Sequence, residues 1–146
     1  MLDKAQTAAA VSFFNLHLDG VGYLNKVRWV TPMQGTDFLA CTVSALRGNT
    51  VYPSYTRIDC TVWGEEVRKI IKQLESDVKA EHAVMIGFRL GDIHMDTFQY
   101  EKGERKGQQG VSLKGRLLKI RFAKVHGKAI EIAQSAPASG TELIVY

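Results

Sequence analysis

The sequence predicts a mostly β protein with one helix, in the order strand, strand, strand, helix, strand, strand. The first observation is residues 55–63, where apolar and polar side chains alternate with the period of a β-strand. The second is an apolar stripe of helical spacing that follows Gly64. The third is the return of strand-like alternation in residues 83–90 and 111–125. These patterns together indicate a small sheet covered by a single helix.

The first two strands are predicted at Tyr23–Val30 and Phe38–Leu46. Pro and Gly in residues 31–35 favour a turn between them, since these residues supply turn dihedral angles. Gly20 and Gly22 are expected to form a turn before the first strand. Short connections between successive strands favour an antiparallel meander.

The third strand carries two different faces. Its apolar face consists of Ile58, Cys60 and Val62, and its other face of Tyr55, Arg57, Asp59, Thr61 and Trp63. A strand that presents aromatic rings and a guanidinium group to solvent is typical of a stacking platform for nucleic-acid bases. The alternative is that Trp63 covers the edge of the core, because Trp is usually well buried. The stretch itself favours neither interpretation.

A capping helix is predicted after Gly64. Its apolar stripe consists of Val67, Ile70, Ile71, Leu74 and Val78. Glu65 and Glu66 lie in its first turn, where the helix dipole favours acidic side chains. The stripe has to pack on a sheet, and we assign the helix no chemistry.

The fourth strand is predicted at Ala83–Leu90, with Val84, Ile86, Phe88 and Leu90 directed inward. Residues 91–110 form a long polar stretch, in which His94, Asp96, Phe98 and Tyr100 share one parity and fit a strand extension. Connections of this length are usually functional or mobile.

The fifth strand is predicted at Val111–Val125. Its inward side chains change parity, from Val111 and Leu113 to Leu118, Ile120 and Phe122. Because a slip of one residue exchanges the two faces of a strand, the change predicts a bulge near Gly115–Leu117.

A five-stranded barrel with a helix between strands three and four is the OB-fold, which binds oligonucleotides on strands two and three and on flanking loops. We expect the barrel to span residues 13–128. Residues 1–12 are predicted to be a flexible tail, and residues 129–146 a partly disordered C-terminal tail.

Length and composition are those of one ordinary domain: 146 residues, 45% of them hydrophobic. No apolar run approaches the ~20 residues of a membrane helix, and no signal-peptide pattern opens the chain, so we expect a cytoplasmic protein. Cys41 and Cys60 are expected to be buried free thiols; a disulfide between them fits the geometry but not a reducing cytosol.

The charge of the chain is unevenly distributed. The formal net charge is +4, yet residues 102–128 hold nine Lys and Arg residues and a single acid, Glu104. Such asymmetry is typical of a phosphate-binding surface. A merely solubilising surface would intersperse both signs.

Catalysis has little support in the sequence. Asp92, His94 and Asp96 alternate and would share a strand face, as ligands of a divalent metal can. No second cluster accompanies them, so a metal-dependent nuclease is the weaker interpretation. The chain has no phosphate-binding loop of the NTPase type. We therefore expect no catalytic residues, no metal and no cofactor.

Several segments resemble bacterial single-stranded-DNA-binding proteins. They are Asn25–Val27, Ala40–Val43 and Asp59–Gly64. In that family the aromatic residue before the glycine stacks on a base, and Trp63 falls on this position. A second stacking position, six residues earlier, is Arg57 here. The resemblance has no counterpart for the family's second-strand Trp, although Arg47 lies nearby, and none for its acidic C-terminal tail.

A more specific resemblance covers residues 13–127. Its segments are Phe13–His17, Gly22–Asn25, Phe38–Cys41, Tyr55–Cys60, Gly87–Asp92 and Gly110–Leu118. They resemble a family of small proteins of integrative and conjugative elements, of DUF3577 type, labelled a putative replication protein. The resemblance implies a role in the DNA metabolism of a mobile element in a bacterial cytoplasm.

The resulting hypothesis is a protein that binds single-stranded DNA without sequence specificity. The predicted contacts are Trp63, Arg57, Tyr55, Phe38 and Arg47 on strands two and three, and Lys102, Arg105, Lys106, Lys114, Arg116, Lys119 and Arg121 on the long loop and strand five. We expect a homodimer or homotetramer, with Trp29 or Phe13 and Phe14 at the interface, and replication proteins as further partners. The alternative is an OB-fold module that binds protein.

Overall fold

A computed structural model describes residues 12–132. It contains six strands, β1 (His17–Val30), β2 (Phe38–Arg47), β3 (Ser54–Val62), β4 (Val84–Gln99), β5 (Gln109–Val125) and β6 (Lys128–Ile130), and one helix, α1 (Glu65–Lys79). The helix is too short and too polar to cross a membrane. Of the two predicted tails, residues 1–11 and 133–146 lie outside the described residues.

The strands form a closed barrel. They lie in the order β3, β2, β1, β4, β5 and β6, and a parallel pairing of β3 with β5 closes the sheet. All other pairings are antiparallel. Five strands make the barrel, and β6 adds a short ladder to the end of β5. With α1 between β3 and β4, the architecture is the OB-fold, as the sequence predicts.

The core follows the alternation of the strands. Ile58, Cys60 and Val62 of β3 are at most 4% exposed, and all four inward residues predicted for β4 are buried. The helix buries Val67, Ile70, Ile71 and Leu74 against the barrel. It begins after Gly64, whose φ of +98° is readily available only to glycine. The predicted stripe of α1 is therefore its buried face.

Two glycines expected in a turn lie inside β1 instead. Gly20 pairs with Phe88 of β4, and Gly22 pairs with both Ile86 and Ala45. A Cβ atom on Gly22 would lie 2.4 Å from the carbonyl oxygen of Ser44. The glycine is required by the close approach of the β1 and β2 backbones, which the sequence does not reveal.

The inward face of β5 differs from the prediction. Leu117, Ile120 and Ala123 are buried, whereas Leu118 and Phe122 are only half-buried. The register against β4 shifts at three places: opposite Gly115, at Leu118 and at Arg121. The first of these confirms the irregularity predicted near Gly115–Leu117. The other two place every third residue from Leu117 inward, so that a single parity change misassigns the set.

The long polar stretch is mostly a hairpin. Strand β4 continues to Gln99 and β5 begins at Gln109, so that residues 100–108 alone form the loop. The predicted strand extension through His94, Asp96 and Phe98 is confirmed. Residues 128–130, expected in a turn and a tail, form β6.

Candidate nucleic-acid interface

The outward side chains of β1, β2, β3 and the β4–β5 hairpin form one surface, which we call the outer wall. Residues in register project to the same side of a sheet, and Tyr23, Ser44 and Arg57 make one such row. A second row contains Asn25, Thr42, Asp59, Lys114 and His94. Further along lie Arg28, Ala40, Thr61, Arg116, Phe38 and Trp63.

Aromatic rings remain accessible on this wall. Tyr55 is 51% exposed, Trp63 52% and Phe98 of the hairpin 42%. Phe38 is half-buried. The Tyr55 ring lies 6.4 Å from that of Tyr23, at a tilt of 48°. The protein's own core therefore does not occupy the predicted stacking positions.

Trp63 is held on one side by a cation. The guanidinium carbon of Arg116 lies 4.9 Å from the centre of its ring, a distance typical of a cation–π contact. The main-chain N–H of Trp63 donates to the carbonyl of Leu117 at 3.1 Å and fixes the residue at the end of β3. Trp63 and Phe38 together line two grooves, one towards Arg28 and the other towards Arg68 of α1.

Arg57 lies where two further grooves meet. One groove contains Tyr23 and Tyr55, and the other contains Phe98 and Lys114. Neighbouring grooves share residues, so the four depressions follow one another from Tyr55 to Trp63. Within residues 12–132 the Arg57 guanidinium makes no ion pair.

Other cations of the wall are already paired. Arg116 Nε lies 3.1 Å from Asp92 Oδ2, and Lys114 Nζ lies 3.1 Å from Asp96 Oδ2. Arg28 donates to the Thr42 hydroxyl, which in turn donates to Asp59 at 2.8 Å. The strongly cationic wall expected from residues 102–128 is therefore partly neutralised by acids from other parts of the chain.

Arg121 is mostly buried and stabilises the fold through an ion pair with Asp19. Its side chain is only 8% exposed, and Nη2 lies 3.0 Å from Asp19 Oδ1. Arg89 donates to the same carboxylate at 2.8 Å; this bond is the main reason why the pKa of Asp19 is lowered, and Arg121 adds to the effect. We therefore exclude Arg121 from the interface.

Lys119, opposite Arg89 in the β4–β5 ladder, lines none of the four grooves.

The remaining predicted cations border the wall. Lys102, Arg105 and Lys106 are exposed in the loop of residues 100–108, where the Arg105 guanidinium donates to the Tyr100 hydroxyl at 3.2 Å. Arg47, at the end of β2, donates from Nε to the Thr56 hydroxyl at 3.0 Å. These four side chains add positive charge next to the wall.

Sequence reasoning missed the contribution of β1. Tyr23, Asn25 and Arg28 lie on the outer wall although β1 was given no binding role. Lys26 has φ of +49°, and the β1–β2 register shifts there. The one signal in the sequence is an alternation that sets Lys26, Arg28 and Val30 on the face opposite Val27 and Trp29. Without the strand register this face cannot be joined to β2 and β3.

Asp92, His94 and Asp96, which a metal-dependent nuclease would use as ligands, are engaged with other groups. Asp92 and Asp96 pair with Arg116 and Lys114, and the His94 Nδ1 atom lies 2.8 Å from the carbonyl oxygen of Asp92. No group of three His, Cys, Asp or Glu side chains in residues 12–132 is arranged to hold a metal ion.

The two cysteines face each other across the β2–β3 ladder as buried free thiols. The neighbouring thiol of Cys41, together with burial, raises the pKa of Cys60. A raised pKa disfavours the thiolate, which is the nucleophilic form.

Comparison with known proteins gives one result. A family model described as "Protein of unknown function (DUF3577)" matches residues 7–138. Neither the curated proteins nor the solved structures contain a match.

Proposed function

The chain belongs to the DUF3577 family of proteins of unknown function, and we propose that it binds single-stranded DNA on the outer wall. The observation that carries the proposal is the position of Arg57, a cation without a carboxylate partner in residues 12–132, between grooves that reach Tyr55 and Phe98. Bases stack on aromatic and guanidinium planes, while cations contact the phosphates. Exposed rings beside an unpaired guanidinium supply both contacts.

The wall favours binding without sequence specificity. Its hydrogen-bonding groups are largely engaged within the protein, as shown by the contacts of Thr42 with Asp59 and of Asn25 with Ser44. Stacking, in contrast, accepts every base. The protein would thus hold an unpaired strand by its base faces and backbone, without a chemical step and without a cofactor.

The resemblance to proteins of integrative and conjugative elements supports a role in the replication or transfer of such an element in a bacterial cytoplasm. The resemblance of Asp59–Gly64 to single-stranded-DNA-binding proteins supports the use of Trp63. Assembly as a homodimer or homotetramer, with replication proteins as partners, belongs to the same proposal.

A second candidate is an OB-fold module that binds another protein. It is favoured by the ion pairs of Arg116 and Lys114, which weaken the wall's attraction for phosphate, and by exposed apolar side chains elsewhere, such as Phe14 at 99%. Salt dependence separates the candidates, because phosphate contacts release counterions.

The test is a fluorescence titration with oligo-dT. Since Trp29 is also half-exposed, a Trp29→Phe variant makes Trp63 the only tryptophan. We expect quenching on binding, and a logarithmic affinity that falls linearly with the logarithm of salt concentration by roughly 0.7 per phosphate contact. Duplex DNA of the same length should bind more weakly, because its bases are not free to stack. Absence of both quenching and salt dependence would favour the protein-binding module.

Asp92→Asn is expected to strengthen DNA binding. The change removes the carboxylate that pairs with Arg116, and asparagine tolerates the φ of +55° at this position. One released cation should steepen the salt slope by roughly 0.7. The measurement is fluorescence anisotropy of labelled oligo-dT at several salt concentrations. Glu131→Gln, which removes an exposed carboxylate that lines none of the four grooves, is the matched control. An equal gain in both variants would mean that net charge alone is responsible.

A further inference from the structure

The groove at the C-terminal end of α1 is the largest of the four grooves, with a volume of about 840 Å³. We call it the helix-end groove. It is bounded by Tyr23, Asn25, Lys26, Ser44, Arg57 and Lys79, from β1, β2, β3 and α1. It shares Tyr23, Asn25, Ser44 and Arg57 with the outer wall and extends that wall to Lys26 and to the end of α1, neither of which the sequence links to a ligand.

Cations outnumber acids around this groove. Lys26, Arg57 and Lys79 line it, against Glu81 as its one carboxylate. Lys79 pairs with Glu75 at 2.9 Å on the exposed side of α1, whereas the Lys26 ammonium group has no ion pair within residues 12–132. Lys26 occupies the β1 bulge, and bulges commonly redirect side chains. The groove therefore attracts an anionic ligand.

The groove also offers a ring surface and polar groups. The rings of Tyr23 and Tyr55 line it together. The Asn25 amide donates to the Ser44 hydroxyl at 3.1 Å and to the Tyr23 carbonyl at 3.3 Å, which leaves the amide oxygen of Asn25 as an acceptor. A π-surface and cations within one groove match the base and the phosphate of a nucleotide, and the Asn25 acceptor can meet an N–H donor on a base edge, such as N3–H of thymine.

From this combination we propose that the helix-end groove is an additional nucleotide subsite, occupied by the continuation of the strand bound on the outer wall. The inference rests on the proposed function. Arg57 lines the groove and the wall alike, so the strand crosses from β3 over β2 to β1 at that residue. Two strand spacings correspond to about 10 Å, which is enough for a further nucleotide or two beyond Arg57. The full binding site is then longer than the part of the wall between Arg57 and Trp63.

The test uses oligo-dT of increasing length, from about 4 to about 16 nucleotides, the range that one OB-fold occupies. The variant Lys26→Asn/Lys79→Ala removes both lysines of the groove, and asparagine accepts the left-handed backbone of residue 26. The control Lys124→Ala/Lys128→Ala removes two exposed lysines of β5 and β6, which line none of the four grooves. Affinity is measured by anisotropy at several salt concentrations.

We expect the groove variant to bind the shortest oligonucleotides like wild type. For the longest it should lose affinity, with a salt slope shallower by roughly 0.7 to 1.4, the value of one or two phosphate contacts. The control should shift both lengths equally and only slightly. Wild-type behaviour of the groove variant at every length, or the same loss in the control, would overturn the subsite while leaving the proposed function intact. If wild-type protein binds no oligonucleotide of any length, the proposed function fails and the subsite with it.

Discussion

Replacing Trp63 with alanine is expected to weaken single-stranded DNA binding by about 1–3 kcal/mol, the value of one base stacked on an aromatic ring. This corresponds to a roughly 5- to 150-fold higher dissociation constant. Half of the indole is exposed, and the hydrogen bond from Trp63 to Leu117 uses only the main chain. The variant should therefore fold normally and lose its affinity through the missing ring.

Anisotropy of a labelled oligo-dT measures the loss, and circular dichroism verifies the fold. Trp63→Phe should recover most of the affinity, because a smaller ring still stacks. Tyr52→Ala is the matched control: its ring is 84% exposed and lines none of the four grooves. Unchanged affinity in Trp63→Ala would remove this residue from the interface.

Replacing Phe88 with alanine is expected to lower the free energy of unfolding by about 3–5 kcal/mol, the usual cost of truncating a buried Phe. The Phe88 side chain is 1% exposed, and its partner across β1 and β4 is Gly20. Because Gly20 has no side chain that could move into the space, the cavity should persist. The loss is a large part of the ~5–15 kcal/mol that stabilises a typical domain.

Urea unfolding followed by circular dichroism measures this effect, with a lower midpoint and an unchanged slope. Phe14→Ala is the control, since that side chain is 99% exposed and should change the stability by less than about 0.5 kcal/mol. A loss below about 1 kcal/mol in Phe88→Ala would contradict the placement of Phe88 at the centre of the barrel.

Local patterns in the sequence were sufficient for much of the architecture. The alternation around Ile58, Cys60 and Val62 identified β3 and its faces, and helical spacing identified the buried stripe of α1. Both signals come from residues that are close in the chain and share one backbone conformation. The same alternation placed Tyr55 and Trp63 on the face away from the core, but it left open whether Trp63 covers the core edge, and the structure shows the ring half-exposed.

Errors arose where distant strands determine the outcome. The sequence alone predicts a turn at Gly22, because the approach of the Ser44 backbone cannot be seen in β1 itself. The inward residues of β5 depend on two register shifts against β4, and the role of β1 in the wall depends on its register with β2.

The sequence by itself determined the barrel, its capping helix and the side chains that β3 presents outward. Each of these follows from the spacing of apolar residues that are close together in the chain. Only the tertiary structure decided which cations remain available to a ligand. The excess of basic residues in 102–128 is offset by Asp19, Asp92 and Asp96, and Asp19 lies 102 positions from Arg121 in the chain. An ion pair forms only where a basic and an acidic side chain come close together, and the register of the strands sets the distance between them. This register leaves Arg57 without a carboxylate partner among residues 12–132.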